Sequence, residues 1–194
     1  MCKICGLLWL IFFFQSTFLS AAEYIVDPIH SHVGFVIRHI VGKVHGEYKD
    51  FDGNFSFDPK TPEKSKGKFI VKAGSINTNN IKRDDHLKSA DFFDVKKFKT
   101  LEFAIKNVKA TSGNKYVMQG DLTVHGVTKL VTFDVEFSGA DKDPWDHIRT
   151  GFSASAKINR KDYKIIWNKV LDSGSLMIGE EVEITLNIEA VEKK

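Results

Sequence analysis

Apolar residues recur at every second position over three separate stretches of this 194-residue chain, and that period fixes the class of fold. Phe51, Gly53, Phe55 and Phe57 alternate with polar neighbours. Val131, Phe133, Val135 and Phe137 enclose Thr132, Asp134 and Glu136, and Val182, Ile184, Leu186 and Ile188 stand among Glu183, Thr185, Asn187 and Glu189. Successive side chains of a strand point to opposite faces, so each stretch makes a strand with one apolar and one wet face, as in antiparallel sheets. Weaker copies run through 33–37, 68–73, 101–108, 116–124, 152–158 and 163–167. Eight to ten strands with almost no long helical period predict an all-β sandwich or barrel.

Turn chemistry separates the strands: Asp58-Pro59 with Thr61-Pro62, Ser112-Gly113-Asn114, His125-Gly126, the stretch 139–144, and Ser173-Gly174. His125-Gly126 marks the clearest hairpin, between a strand ending at Val124 and one starting near Lys129. One segment breaks the pattern. From Ser75 to Phe98 the chain packs charge, His86 and the pair Phe92-Phe93 into a stretch without alternation. Asn79 or Asn80 can cap a short helix through Leu87, with Asp84 and Asp85 in first turns where the macrodipole favours anions. Such a segment in a β domain acts as a crossover or lid over one end of the sheet.

Residues 1–22 read as an export signal: Lys3, an apolar run from Gly6 to Phe14, and the small residues Ser20-Ala21-Ala22 before the cut. Left uncleaved, the uncharged stretch 4–22 is long enough to span a bilayer. Both cysteines, Cys2 and Cys5, leave with the signal, so residues 23–194 fold as one domain without disulfides, by burying their own core. That domain carries 27 basic and 25 acidic residues. So even a balance argues against nucleic acid as a partner, because phosphate binding needs a clustered basic face.

Three function classes remain open on the residues. An enzyme needs a nucleophile with its base, paired carboxylates, a metal cluster or a phosphate loop. The mature chain has no Cys, no nucleophile elbow and no Gly-rich phosphate loop. Its candidates are Asp84, Asp85 and His86 for proton transfer, and His30, His32 and His86 for a metal. Each has an ordinary structural alternative in capping and ion pairing. The second class rests on the aromatic content: twelve mature Phe with Trp145 and Trp167, on alternating strands, line one side of the sheet. An eight-stranded barrel is wide enough either to be filled by such side chains or to hold one ligand. A hollow interior would favour a long hydrocarbon, at about 0.8 kcal/mol per buried methylene. A filled interior is the third class, a packed module acting through its surface. An outer-membrane barrel would need aromatic girdles that the sequence does not show.

The motifs, in order, also resemble a known family. Asp27-Pro28-Ile29-His30-Ser31 is followed by Phe35, Ile37 and His39, by Gly46 through Gly53, and by Ser75-Ile76 with Thr78. Then come Arg83-Asp84, His86-Leu87-Lys88-Ser89 and Asp91-Phe92-Phe93-Asp94, the run from Gly120 to Lys129, Gly151-Phe152, Ile158-Asn159-Arg160, and Gly179-Glu180-Glu181-Val182. This series resembles the YceI-like polyisoprenoid-binding family over essentially the whole mature chain. The resemblance implies an eight-stranded, antiparallel, lipocalin-like barrel with a helical insertion, exported to the periplasm. It implies an isoprenoid or other long-chain amphiphile in the interior, such as a polyisoprenoid or isoprenoid quinone, with no catalysis and no cofactor. The membrane would enter only as the source of lipid, and the sequence leaves a homodimer open. Two positions depart from the family: Lys99-Thr100, where it often has Pro, and Tyr163-Lys164, where it often has Phe-Gly.

The apolar phase of the strands places Phe35, Ile37, Phe55, Phe103, Leu122, Phe133, Val135, Phe152 and Trp167 in the wall of the interior. On the resemblance, Phe92 and Phe93 join them as anchors near one end. Arg83, Asp84, His86, Asn159 and Arg160 are the candidates for a ligand's headgroup, since Arg binds phosphate bidentately. The alternative for Arg83 and Asp84 is a mutual ion pair that holds the insertion down.

Overall fold

The computed structural model describes residues 22–193, and the expected signal at 1–22 lies almost wholly outside them. The strands are β1 (Ala22–Val26), β2 (His32–His39), β3 (Gly42–Tyr48), β4 (Phe51–Phe57), β5 (Lys66–Lys72) and β6 (Ile76–Asn77). After helix α1 (Ile81–Lys88) come β7 (Thr100–Ala110), β8 (Lys115–Val124), β9 (Val127–Lys142), β10 (Ile148–Asn159) and β11 (Ile178–Glu192). β4, β5, β7, β8, β9, β10 and β11 pair in that order, all antiparallel. β1 pairs with both β4 and β11, and so closes an eight-stranded barrel. β2 continues from the first half of β11, β3 pairs with β2, and the two-residue β6 pairs with β3. The barrel expected from the sequence is therefore present, with its helical insertion.

Local chemistry explains the corners. His125 and Gly126 both have positive φ, 50° and 73°, which makes the β8–β9 hairpin a two-residue turn whose twist matches its strands. β9 consequently starts at Val127, two residues before the expected start. The Asn80 side chain caps α1 by accepting from the Arg83 N–H at 3.0 Å. Gly46 lies opposite Phe35 in the β2–β3 ladder, and a Cβ there would collide with the Phe35 ring. The missing side chain lets that ring lie flat over the strand.

Three expectations change. Residues 163–167 alternate, yet they form a 3-10 turn (Arg160–Tyr163) and an extended segment rather than a strand. The buried Arg160 guanidinium takes the carbonyls of Ile165 and Trp167, the groups a strand would offer to a neighbour. The turn expected over 139–144 falls later: β9 runs to Lys142, the chain turns at 143–147, and Gly139, at φ 113°, sits where the β9–β10 register shifts. β1, β3 and the two-residue β6, which the alternation did not reveal, complete the sheet.

Two apolar clusters stack along the barrel. One gathers Tyr24, Phe51, Phe55, Phe57, Val108 and Tyr116; the other gathers Phe92, Leu122, Val124, Phe133, Tyr163 and Ile165. The outer face carries cross-strand ion pairs, among them Lys106–Asp121 and Lys157–Glu181. Such a charged surface suits water rather than lipid. Among the described residues no helix is long and apolar enough to cross a membrane.

Candidate functional site

Inward side chains that are only half-buried are the first sign of a void. Phe35, Ile37, Phe69, Ile105, Val135, Phe152, Ala154 and Leu186 all face the interior, yet all retain exposure. What they are exposed to is a cavity of about 600 Å³ that runs past both clusters. That volume falls in the middle of the range for ligand sites, roughly 300–1,000 Å³.

All eleven wall residues read from the sequence line it: Phe35, Ile37, Phe55, Phe92, Phe93, Phe103, Leu122, Phe133, Val135, Phe152 and Trp167. Period two fixes the phase of a whole strand, so correct alternation places every member at once. The walls hold each other in edge-to-face pairs, such as Phe103 on Phe133 at 5.2 Å and Phe55 on Phe152 at 5.5 Å. Sequence reasoning missed the aliphatic share of the lining, including Ile105, Met118, Ile184 and Leu186. One end is sealed by the cluster containing Tyr24, Phe57 and Tyr116. At the other the lining reaches the surface, where exposed Lys82 and half-exposed His39, Val44 and Met177 meet α1 and Trp167. Burial drives the Tyr48 hydroxyl far above its ordinary pKa.

The headgroup candidates divide. Arg83 lines the cavity, but its Nε donates to Thr78 Oγ1 at 2.7 Å and its Nη2 to the Thr78 carbonyl at 2.8 Å. Asp84 does not line it. Its buried carboxylate accepts from the Thr78 N–H and hydroxyl, and so ties α1 to the chain just before it. Arg83 and Asp84 thus share Thr78 rather than forming the mutual ion pair that is the alternative to a headgroup role. His86 lines the cavity, with Nε2 2.9 Å from Asp91 and its ring against Trp167 at 4.9 Å. Asn159 does not line it; its Oδ1 accepts from the Lys161 N–H and caps the 3-10 turn. Arg160 does line it, almost fully buried. None of these roles was visible in sequence, because each depends on a partner that only the fold brings close.

The histidines proposed for a metal do not converge. His30 meets Asp27 at 2.8 Å, His32 meets Glu47 at 3.4 Å, and His86 meets Asp91. Asp27, His30 and Glu189 do cluster closely enough to ligate an ion. Arg149 already fills that cluster, its Nη1 donating to Asp27 at 2.8 Å and to Glu189 at 2.6 Å while its Nε donates to Asp143 at 3.0 Å. Burial opposes ionisation of Asp27, but hydrogen bonds from Arg149, His30 and the Ile29 N–H prevail and lower its pKa to about 2. Asp143 is held low in the same way, by the His147 N–H, Arg149 and the Trp145 N–H against the same burial penalty. A guanidinium held by three carboxylates is a structural clamp outside the cavity.

A closed antiparallel barrel around an apolar cavity that reaches the surface at one end is a hollow, lipocalin-like barrel. Within that class the chain belongs to the YceI-like family, whose domain model matches residues 24–190. It is 40% identical over 177 residues to UPF0312 proteins of Pseudomonas putida and Photorhabdus laumondii, covering 90% of this chain and 88% of each relative. Among solved structures, a Campylobacter jejuni YCEI protein matches with TM-score 0.71 and 32% identity, covering 81% of this chain and 91% of that one. Burkholderia cenocepacia BcnA matches with TM-score 0.76 at 22% identity, over 84% of this chain and 98% of its own. A polyisoprenoid-binding domain from Saccharophagus degradans matches with TM-score 0.63 at 13% identity, over 89% and 99% of the two chains; at these identities the likeness shows the fold.

Proposed function

We propose that this protein holds a long apolar lipid, a polyisoprenoid or an isoprenoid quinone, inside the barrel and carries or sequesters it without chemical change. The observation that carries this reading is the cavity, walled along its length by aromatic and aliphatic side chains. Each methylene moved from water into it contributes about 0.8 kcal/mol, so a long chain binds tightly with few polar contacts. The cavity's apolar wall sets the class of ligand, and the polyisoprenoid-binding neighbour of the same fold supports a polyisoprenoid as the member of that class to try first. The catalytic reading has little support: Asp84 is tied to Thr78, and His86 is paired with Asp91.

The signal-like residues 1–22 support a periplasmic location, where such a carrier would draw its lipid from a membrane. The elements around the cavity's open end support membrane contact. The β2–β3 turn and the segment 164–177 meet through the Ile40 N–H and the Met177 carbonyl, and with α1 they expose Ile40, Val41, Ile81, Ile166 and Val170. Titration with a fluorescent isoprenoid, competed by unlabelled long-chain isoprenoids, tests the reading. Saturable binding of one ligand per barrel is expected, and failure of every long-chain isoprenoid to compete would overturn it.

A further inference from the structure

Three buried polar side-chain atoms, all on residues that line the cavity, lack a hydrogen-bond partner among the described residues. Two of them lie on one turn. Arg160 is 4% exposed, and all its hydrogen bonds go to neutral carbonyls: Nε to Gly179 at 2.8 Å, and Nη1 to Ile165 at 2.7 Å and Trp167 at 2.9 Å. Its Nη2 is buried and meets no acceptor, and no carboxylate stands within ion-pairing distance among the described residues. Glu180, the acid nearest in sequence to these contacts, is paired with Lys161. Three residues along, Tyr163 is 2% exposed and its hydroxyl is likewise buried without a partner. Both residues line the cavity. A third orphan, Ser65 Oγ, also belongs to a lining residue but lies at the entry to β5, away from this turn.

A buried cation whose nearest negative charge, Glu180, acts on it only from beyond ion-pairing distance, and a buried hydroxyl without a partner, are both unfavourable, and neither persists in a fold without cause. Burial accordingly pushes the guanidinium below its ordinary pKa and the Tyr163 hydroxyl up to about 12. The surrounding lining adds the cations Lys82 and Arg83 on α1. The lining carboxylates, Asp52 and Glu102, stand on β4 and β7, and Glu102 is paired with Lys68.

We propose that Arg160 and Tyr163 form a polar pocket for the anionic oxygen head of the bound lipid, a phosphate or a carboxylate, whose oxygens accept from Arg160 Nη2 and the Tyr163 hydroxyl once these two closed-off atoms turn into the cavity. This rests on the lipid-carrier reading and extends it. The ligand then has a direction: its head lies beside the 160–163 turn, within the cluster of Phe92 and Phe133, and its tail runs toward Phe57 and Tyr116. Arg160 both braces the 164–167 segment and meets the head, while Tyr163 has no bracing role for its hydroxyl.

That division supplies the test. Hexadecyl phosphate, hexadecanoate and hexadecane are titrated into the wild-type protein, Tyr163→Phe and Arg160→Lys by competition with a fluorescent probe, and thermal unfolding of each ligand-free protein is recorded. The wild type is expected to bind the phosphate or the carboxylate at least tenfold more tightly than hexadecane, and the stronger of the two identifies the head. Tyr163→Phe is expected to weaken that anion about tenfold, to leave hexadecane unchanged, and to melt no lower than wild type without ligand, because no hydrogen bond is lost. Arg160→Lys is expected to weaken the anion further and to melt lower. Equal affinity of the wild type for all three, or full anion affinity in a folded Tyr163→Phe, would overturn the head pocket while sparing the carrier reading. Absence of binding by hexadecane and both anions would overturn the two together.

Discussion

Ala154→Phe separates a hollow barrel from a packed one. Ala154 lies in the middle of β10, opposite Val135 on β9 and Leu186 on β11, and its methyl faces the cavity while remaining half-exposed. A phenyl ring at this point enters space that the protein itself leaves empty. It displaces about five methylenes' worth of ligand, which at about 0.8 kcal/mol each removes about 4 kcal/mol of binding, or roughly a thousandfold in affinity. Ala154 packs against the second apolar cluster on one side only, and a ring directed into the void leaves that packing in place, so thermal unfolding of the ligand-free variant should stay within a few degrees of wild type. Competition binding with a fluorescent isoprenoid and a melting curve on the same sample measure both quantities. In a filled core the same substitution would overpack and destabilise by about 1–3 kcal/mol. A variant that melts much lower while its lipid uptake is unchanged would refute the reasoning.

Other consequences follow from single sites. Lys164 holds the left-handed conformation at φ 62°, which disfavours any residue with a Cβ, so Lys164→Gly should raise stability by about 1 kcal/mol in a denaturant titration. The Arg149 clamp should be sensitive to acid. The Asp27 pKa is lowered to about 2 and Asp143 is lowered as well, so their stabilisation is complete above the ordinary carboxylate pKa of about 3.9 and is lost as pH falls toward 2. The stability gap between wild type and Arg149→Gln should therefore shrink across that window, and a constant gap would show that the clamp contributes nothing through charge. At the open end, Val41→Asp combined with Ile81→Asp should reduce co-flotation with lipid vesicles severalfold without changing affinity for a detergent-solubilised ligand.

Much of this architecture can be read from the sequence because period two is a strong code. Phe133 and Val135 face the interior together with every other residue of their phase, so a correctly placed strand yields its whole share of wall. The three strands missed, β1, β3 and the two-residue β6, are those with weak codes. β1 is short, and β3 contains Gly46, whose bare backbone makes sense only beneath Phe35 on the neighbouring strand. Residues 163–167 misled for the opposite reason: Tyr163, Ile165 and Trp167 do point inward in alternation, but a side chain, Arg160, takes the carbonyls that a neighbouring strand would have met. The polar residues were the hardest to assign. Arg83 and Asp84 look like headgroup ligands until Thr78 is seen holding both, and Tyr163 looks apolar until its hydroxyl is found alone.

The central claim is that the barrel holds a lipid, and the protein's own cargo tests it most directly. Protein purified gently from cells that produce it naturally would be weighed by native mass spectrometry, and its organic extract then analysed for lipids. The account predicts one bound molecule per barrel, recovered in the extract as a lipid with a long apolar chain. Barrels that carry no lipid from the cell, and that take up none when long-chain isoprenoids are added, would contradict it.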